Sequence, residues 1–289
     1  MKKFLIILIL VIIPVGLAGS FIFFLNNRPG KQIPMQPHME NELRIGALNV
    51  NWLGYNGNAE MTAEILAKSA RDNELDILLL QEYKSHWQLD ENSFTKLFRK
   101  DYKYISIEDE CVCISKFPVN SHKRVRFDDF SDSYSDIIVT LPDKRKVEIF
   151  AVHLMTTGIN NFTGGEASSM SGMGVSYTFF GNEDIRRNQA VSLVNRIQNV
   201  HFPLIVAGDF NCVPFAAPYR KMISSSLKDS FFTNGRGSGS TYRGLGNIFR
   251  IDYIFYGDGL QCIDSRIVDD NISDHRMMLS SFLLNAETD

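Results

Sequence analysis

Residues 204–214, LIVAGDFNCVP, join an unbroken apolar run to a polar end. The Leu-Ile-Val-Ala run is short and rich in β-branched side chains, which is typical of a strand buried on both faces of a sheet. The run stops at Gly208, and Asp209 and Asn211 follow where the strand would leave the sheet. If the chain stays extended, the carboxylate and the carboxamide project from the same face. Such oxygen ligands suit Mg²⁺ or Mn²⁺ or contact a phosphate, whereas a strand running into an Asx turn explains the same residues without a function.

The same pattern recurs along the chain. Polar residues that border an apolar run are Asn49, Glu82, His153, Asp209 with Asn211, Asp252, and Asp274 with His275. Each has a structural explanation when taken alone: an Asn at a strand end often satisfies backbone groups, and a lone His is often structural. A carboxylate such as Glu82 at the mouth of an apolar strand is costly unless it is paired or bound to a metal. Taken together, polar groups at one rim of a sheet predict a metal-assisted phosphate site.

The N-terminal region predicts an attachment to a membrane. Lys2 and Lys3 precede an apolar stretch, residues 4–25, which is about long enough to span a bilayer as a helix. A cleavable signal has a shorter apolar region, so we expect residues 1–26 to be an uncleaved anchor, with a signal peptide as the alternative. The rest of the chain is then expected outside the cytoplasm, in the periplasm or at the cell surface.

Beyond the anchor, the chain predicts one linker and one domain. Residues 27–41 are polar and rich in proline and lack a hydrophobic period, which indicates a linker. No second low-complexity boundary or internal repeat follows, so residues 42–286 are expected to form a single domain, which is large enough to bury a full core.

The ordered motifs LNVNW, LLQEY, AVHL, AGDFN, RIDYIF and SDH resemble those of the endonuclease/exonuclease/phosphatase superfamily. That superfamily includes pancreatic-type deoxyribonuclease, abasic-site endonucleases, inositol-polyphosphate phosphatases and neutral sphingomyelinases. The resemblance covers residues 43–284. It implies an α/β (α+β) four-layer sandwich, with two mostly antiparallel β-sheets packed face to face, helices outside, and the site at one edge between the sheets. Periodicity alone predicts only an α/β or α+β chain.

The resemblance also implies a metal site. Glu82, together with Asn49 and Asp274, would hold a divalent cation, Mg²⁺ or Mn²⁺, against a phosphate oxygen. Because every motif residue is present, an inactive scaffold is not expected.

The remaining motif residues receive catalytic roles from the same resemblance. Asp209 would orient or deprotonate the attacking water, and Asn211 would position that water or the phosphate. His275 would contact the phosphate, with Asp252 fixing its imidazole, and His153 would be a second phosphate contact and an acid for the leaving oxygen.

The substrate is less constrained by the sequence. The chain has 30 basic and 33 acidic residues, and its net charge of −3 lacks the basic excess usual in nucleic-acid binders. We nevertheless expect a monomeric phosphodiesterase of nuclease type. The alternatives are a phospholipid or sphingomyelin phosphodiesterase, an inositol-phosphate phosphatase, or a non-catalytic binding module. The long loop 155–181 is expected to act as a lid or a membrane-facing flap.

Overall fold

The computed structural model describes residues 27–84, 89–128, 132–156, 182–244 and 246–285. The strands are β1 (Asn27–Arg28), β2 (Glu42–Asn49), β3 (Ile77–Gln81), β4 (Tyr104–Glu108), β5 (Cys111–Ser115), β6 (Val119–Arg126), β7 (Ser133–Thr140), β8 (Lys146–His153), β9 (Leu204–Asp209), β10 (Lys228–Asp229), β11 (Gly237–Ser238), β12 (Asp252–Tyr256), β13 (Leu260–Val268) and β14 (Met277–Leu284). The helices are α1 (Ala59–Asp72), α2 (Glu91–Phe98), α3 (Glu183–Ile197), α4 (Ala217–Ser224) and α5 (Ser230–Asn234), and a 3-10 turn covers Asn51–Leu53.

The long strands form two six-stranded sheets. Sheet I has the order β10-β12-β9-β8-β7-β6, and sheet II has the order β13-β14-β2-β3-β5-β4. Each sheet contains one parallel pair, β8 with β9 and β2 with β3, and its other pairs are antiparallel. The predicted pair of mostly antiparallel sheets is therefore confirmed.

Three apolar clusters hold the layers together. The first lies between the sheets and includes Ile45, Leu79, Ile149 and Ile254. A second cluster packs α1 and α2 on the outer face of sheet II, and a third packs α3 and α4 on the outer face of sheet I. The layers therefore run helix, sheet, sheet, helix, as the sandwich requires. Burial of these apolar surfaces is the main favourable contribution to folding.

Helices α1 and α2 each begin at a side chain that accepts hydrogen bonds from backbone donors. Asn58 accepts a hydrogen bond from the Met61 backbone amide at 3.0 Å at the start of α1. Asp90 caps α2 in the same way.

Residues 27–41, interpreted above as a linker, lie against the domain, and we refer to them as the strap. β1 pairs with β11, and the Gln32 side chain donates to the Ile267 carbonyl at 3.3 Å. Arg266 donates to the Ile33 carbonyl at 3.2 Å, and His38 Nε2 lies 2.8 Å from Asp76 Oδ2.

The predicted anchor, residues 1–26, and residues 157–181 of the predicted lid lie outside the described residues. None of the helices in the described ranges has both the length and the apolar character needed to cross a membrane.

Candidate active site

The strand topology brings the polar strand ends to one end of the sandwich. In sheet I, Asp209 is in register with His153 on β8 and with Asp252 on β12. In sheet II, Asn49 at the end of β2 is in register with Gln81, the residue before Glu82. The parallel strands end at this edge and the antiparallel strand β12 begins there. Residues distant in sequence are therefore adjacent in space.

Asn49 connects the two sheets. Its Nδ2 donates to Glu82 Oε1 at 2.9 Å and to Asp209 Oδ2 at 3.2 Å. Its Oδ1 accepts from the Asn51 amide at 3.0 Å. The second contact crosses from sheet II to sheet I, so the site lies at the seam between the sheets, where the resemblance placed it.

Asp252 and His275 form a buried pair. His275 Nδ1 lies 2.9 Å from Asp252 Oδ2 and 3.1 Å from Asp252 Oδ1, and the predicted contact is therefore present. His275 Nε2 lies 3.7 Å from Asp209 Oδ2. Burial alone would lower the pKa of His275, but the carboxylates of Asp252 and Asp209 raise it to about 10. The imidazole is therefore held as a cation at neutral pH.

Asp209 is a buried carboxylate with a second carboxylate beside it. Burial, followed by the neighbouring Asp252 carboxylate, raises the pKa of Asp209, while His275 and His153 act to lower it. A buried carboxylate with a raised pKa is better able to accept a proton than an exposed one.

The chain does not stay extended after Asp209. Asn211 has a φ of 48°, and its amide donates to Asp209 Oδ1 at 2.8 Å, which is the Asx turn that the sequence left open. Of the two interpretations that the sequence left open, the structure therefore has the turn. The turn nevertheless returns Asn211 Nδ2 to 3.3 Å from Asp209 Oδ2, while the same nitrogen donates to the Leu154 carbonyl at 3.0 Å.

Gly208 sets the spacing of β8 and β9. Its φ is 133°, and a Cβ at this position would lie 2.1 Å from the Val152 carbonyl oxygen. Only glycine therefore allows the close approach that keeps His153 beside Asp209.

His153 presents a buried nitrogen to the site. Its Nε2 lies 3.3 Å from Glu82 Oε1 and 3.9 Å from Asp209 Oδ2. It makes no hydrogen bond within the described part of the chain. A nitrogen so placed can contact a phosphate oxygen or a leaving oxygen.

Two groups of side chains could be considered for a metal ion. Asp209, Asp252 and His275 offer ligand atoms within 4.8 Å of one another. In that group, however, the imidazolium already balances the carboxylates, and a protonated imidazole is a poor ligand.

Glu82 and Asp274 fit a divalent cation better. Glu82 has no Lys or Arg partner among the described residues, and its Oε1 faces only the Asn49 amide and His153. Asp274 Oδ1 accepts from the Asn51 side chain at 3.0 Å, which links it to the same edge. With Asn49, these residues offer the oxygen donors that Mg²⁺ and Mn²⁺ prefer.

Sequence reasoning missed several supporting residues. Asn51 connects Asn49 to Asp274, although its place in LNVNW gave no sign of this contact. Thr241 Oγ1 accepts from the Asp252 amide at 3.1 Å, and the Tyr242 ring packs against His275 with centroids 5.3 Å apart. These two residues fall in a glycine-rich segment whose composition indicates only a loop.

An acidic hollow of about 50 Å³ lies beside Glu82 and His153. Its lining includes Gln81, Glu108, Asp109, Glu110, Arg124 and Asp132. Arg124 is itself paired with Asp109 at 3.1 Å. The hollow therefore favours cationic over anionic groups.

Comparisons with known proteins agree with this geometry. The sequence profile of the Endonuclease/Exonuclease/phosphatase family matches residues 46–275. No curated protein sequence matches the chain. Among solved structures, the fold resembles an endonuclease/exonuclease/phosphatase from Beutenbergia cavernae DSM 12333, with a TM-score of 0.64 and 16% identity over 86% of this chain and 72% of that one.

Two further solved structures are similar. The human Nocturnin catalytic domain with bound sulfate anion gives a TM-score of 0.61 at 18% identity, covering 86% of this chain and 96% of that one. Truncated Caenorhabditis elegans TDP2 gives 0.59 at 14% identity, covering 84% and 98%. At these identities the likeness shows the fold alone.

Proposed function

Because the chain belongs to the endonuclease/exonuclease/phosphatase family, we propose that it is a divalent-cation-dependent phosphodiesterase of nuclease type, attached to a membrane by residues 1–26. Enzymes of this family hydrolyse phosphoester bonds, usually with a metal ion. The observation that carries the proposal is the buried Asp252–His275 pair facing Asp209, with His275 Nε2 3.7 Å from the Asp209 carboxylate.

Three residues of this chain have separate roles in the proposed hydrolysis. His275 supplies a fixed positive charge for the phosphate oxygens, because Asp252 and Asp209 raise its pKa to about 10. Asp209 accepts the proton of the attacking water, which its raised pKa favours. His153 contacts the phosphate or protonates the leaving oxygen through its unbonded Nε2.

Glu82, Asn49 and Asp274 would hold the divalent cation. When bound, that ion supplies neutralisation of the charge that develops on the phosphate. Asn211 keeps Asp209 in place through the 2.8 Å bond from its amide. The oxygen donors of this set support Mg²⁺ or Mn²⁺ as the cation.

Trp52 supports a substrate with an aromatic base. Trp52 is 51% exposed, and its backbone amide donates to the Glu82 carbonyl at 2.9 Å, so the residue lies beside the site. An exposed aromatic ring beside a phosphate site can stack on a nucleobase.

A phospholipid phosphodiesterase is a second candidate because of the acidic hollow beside Glu82. The carboxylates of Glu108, Glu110 and Asp132 would repel the neighbouring phosphates of a nucleic acid and attract a cationic head group.

One assay compares the candidates. The purified full chain is incubated with single-stranded DNA, RNA and phosphatidylcholine vesicles, with Mg²⁺, with Mn²⁺ and with a chelator. Cation-dependent cleavage of a nucleic acid supports the proposal, and release of a phosphorylated head group supports the second candidate. Hydrolysis of none of these, or hydrolysis that the chelator leaves unchanged, would contradict the proposed function.

A further inference from the structure

Because the strap is paired with the domain, little free chain remains between the domain and the N-terminal apolar stretch. That stretch ends at Leu25, and Asn27 is already paired with Ser238 in the β1–β11 ladder. Two residues of extended chain span about 7 Å. Strand β1 therefore lies within about 7 Å of the last apolar residue, which is comparable to the depth of the head-group layer on each side of a bilayer.

The surface around β1 has the composition of a membrane-facing surface. It consists of Arg28, Lys31, Phe232 and Arg236, and we refer to it as the basic face. Phe232 is 54% exposed, and the Arg28 guanidinium lies 3.7 Å from the centre of its ring. Lys31 and Arg236 are also exposed.

The local charge contrasts with that of the whole protein. The chain has a net charge of −3, yet the basic face carries three cationic side chains and one exposed aromatic ring, which Arg28 contacts. Lys and Arg near a membrane surface are attracted to anionic lipids, and aromatic rings favour the interface.

The fold keeps Phe232 at the surface. Asp229 caps α5 by accepting from the Phe231 and Phe232 amides at 3.0 and 3.2 Å. Phe231 then points into the core between the sheets while Phe232 points outward beneath Arg28. The exposed ring is thus held by a short helix that packs against β13.

We propose that the basic face lies against the lipid head groups of a membrane and that the strap holds the catalytic domain there in one orientation. The proposal depends on the predicted anchor and is independent of the phosphodiesterase activity. A flexible linker would instead let the domain rotate freely at the membrane surface.

The experiment uses the full chain in vesicles of phosphatidylcholine and phosphatidylglycerol in equal parts. In one variant, Phe232 is replaced by the photocrosslinker p-benzoylphenylalanine. In the matched control, the same replacement is made at Tyr104, which is 38% exposed on β4. β4 is at the opposite edge of sheet II from β13, about 24 Å away at about 4.8 Å per strand. After irradiation, lipid adducts are measured by mass spectrometry.

We expect lipid adducts at position 232 to exceed those at position 104 by about ten-fold or more, as for a side chain inserted at the interface. Introducing Lys31→Glu and Arg236→Glu into the Phe232 variant should lower the yield several-fold. Equal yields at the two positions, or no effect of the charge reversals, would overturn the proposal. Loss of the protein from the vesicles after an alkaline wash would also overturn it, because the anchor would then be absent.

Hydrolysis of a soluble phosphodiester is measured in the same samples. A failure to cross-link with hydrolysis retained rejects the membrane orientation alone. Cross-linking without hydrolysis supports the orientation and counts only against the proposed activity.

Discussion

The two ends of the sandwich differ in how buried charge is balanced. At the end where β2 and β3 begin, each buried acid has a basic partner. Arg44 Nε lies 2.6 Å from Glu42 Oε1, and Lys116 Nζ lies 3.1 Å from Asp76 Oδ1. Such pairs satisfy both charges within the protein, so removal of one member leaves the other uncompensated.

At the opposite end, acids gather without Lys or Arg. Among the described residues, Glu82, Asp209 and Asp252 have only His153 or His275 as ion-pair partners. Carboxylates kept together in this way cost stability and are retained where function needs them. The comparison therefore separates charge that stabilises the fold from charge that is available to a cation and a substrate.

The largest expected effect is on the site end. Glu82→Gln keeps the shape of the side chain but removes its charge, so cation-dependent hydrolysis should fall by about three orders of magnitude. The melting temperature should be unchanged or higher, because one uncompensated acid is lost. Steady-state rates against cation concentration and a thermal melt measure both.

Glu148→Gln is the matched control for this change. Glu148 is a buried glutamate, whereas Glu82 is half-buried. Glu148 lies near the start of β8, away from His153 at its end, and burial together with Asp136 raises its pKa. Its neutral replacement should leave the rate unchanged. Equal activity of the Glu82 variant and this control would remove Glu82 from the site.

The next largest effect concerns the buried pair at the site. Asp252→Ala and His275→Ala should each lower the rate by about 10²-fold or more, since each loses the oriented imidazolium. The double variant should lose little more, because the two residues act as one unit. Rates of the four proteins form the test, with His122→Ala as a histidine control. Independent, multiplicative losses would show that the pair does not act together.

A smaller effect, on stability alone, is expected at the paired end. Arg44→Met leaves the buried Glu42 without its partner and should lower the free energy of unfolding by about 3 kcal/mol. The rate per folded molecule should not change. Arg145→Met, at a more exposed pair with Asp143, should cost less than about 1 kcal/mol. Urea titrations measure the free energy of unfolding of both variants. Similar losses in the two variants would mean that burial does not decide how much each ion pair contributes.

The last expected effect concerns pH and contrasts two histidines. Burial lowers the pKa of His122 to about 4, whereas carboxylates raise that of His275. An unfolded histidine has a pKa of about 6.5. Between about pH 6.5 and 4, His122 is therefore protonated in the unfolded chain but neutral in the folded protein. The free energy of unfolding should therefore decrease as the pH falls through this range. His122→Gln should make that decrease smaller in urea titrations. An unchanged dependence of the free energy of unfolding on pH would mean that other groups cause the decrease.

Much of the architecture could be predicted because periodicity and motif order are local properties. The apolar run before Asp209 identifies β9 directly, and the ordered motifs indicate the sandwich. The contact between Asp252 and His275 could also be expected, since both residues belong to recognised motifs. Their catalytic roles stay predictions.

Contacts that depend on tertiary structure could not be predicted in this way. Asn51 reaches Asp274 across 223 positions, and no local pattern marks it as a partner. The turn at Asn211 depends on a left-handed backbone that competes with an extended one, and the sequence allowed both. The strap has the composition of a linker, yet its contacts with Ile267 and Asp76 come from distant strands.

Because Asn49 joins Glu82 to Asp209 across the seam, the distance between the sheets is also the distance between catalytic groups. A shift of about 1 Å between reacting groups can cost about 10²-fold in rate. The turnover number is therefore expected to respond to small changes in the distance between the two sheets. A substitution such as Ile149→Val in the cluster between the sheets would be detected in the turnover number before it was detected in the melting temperature.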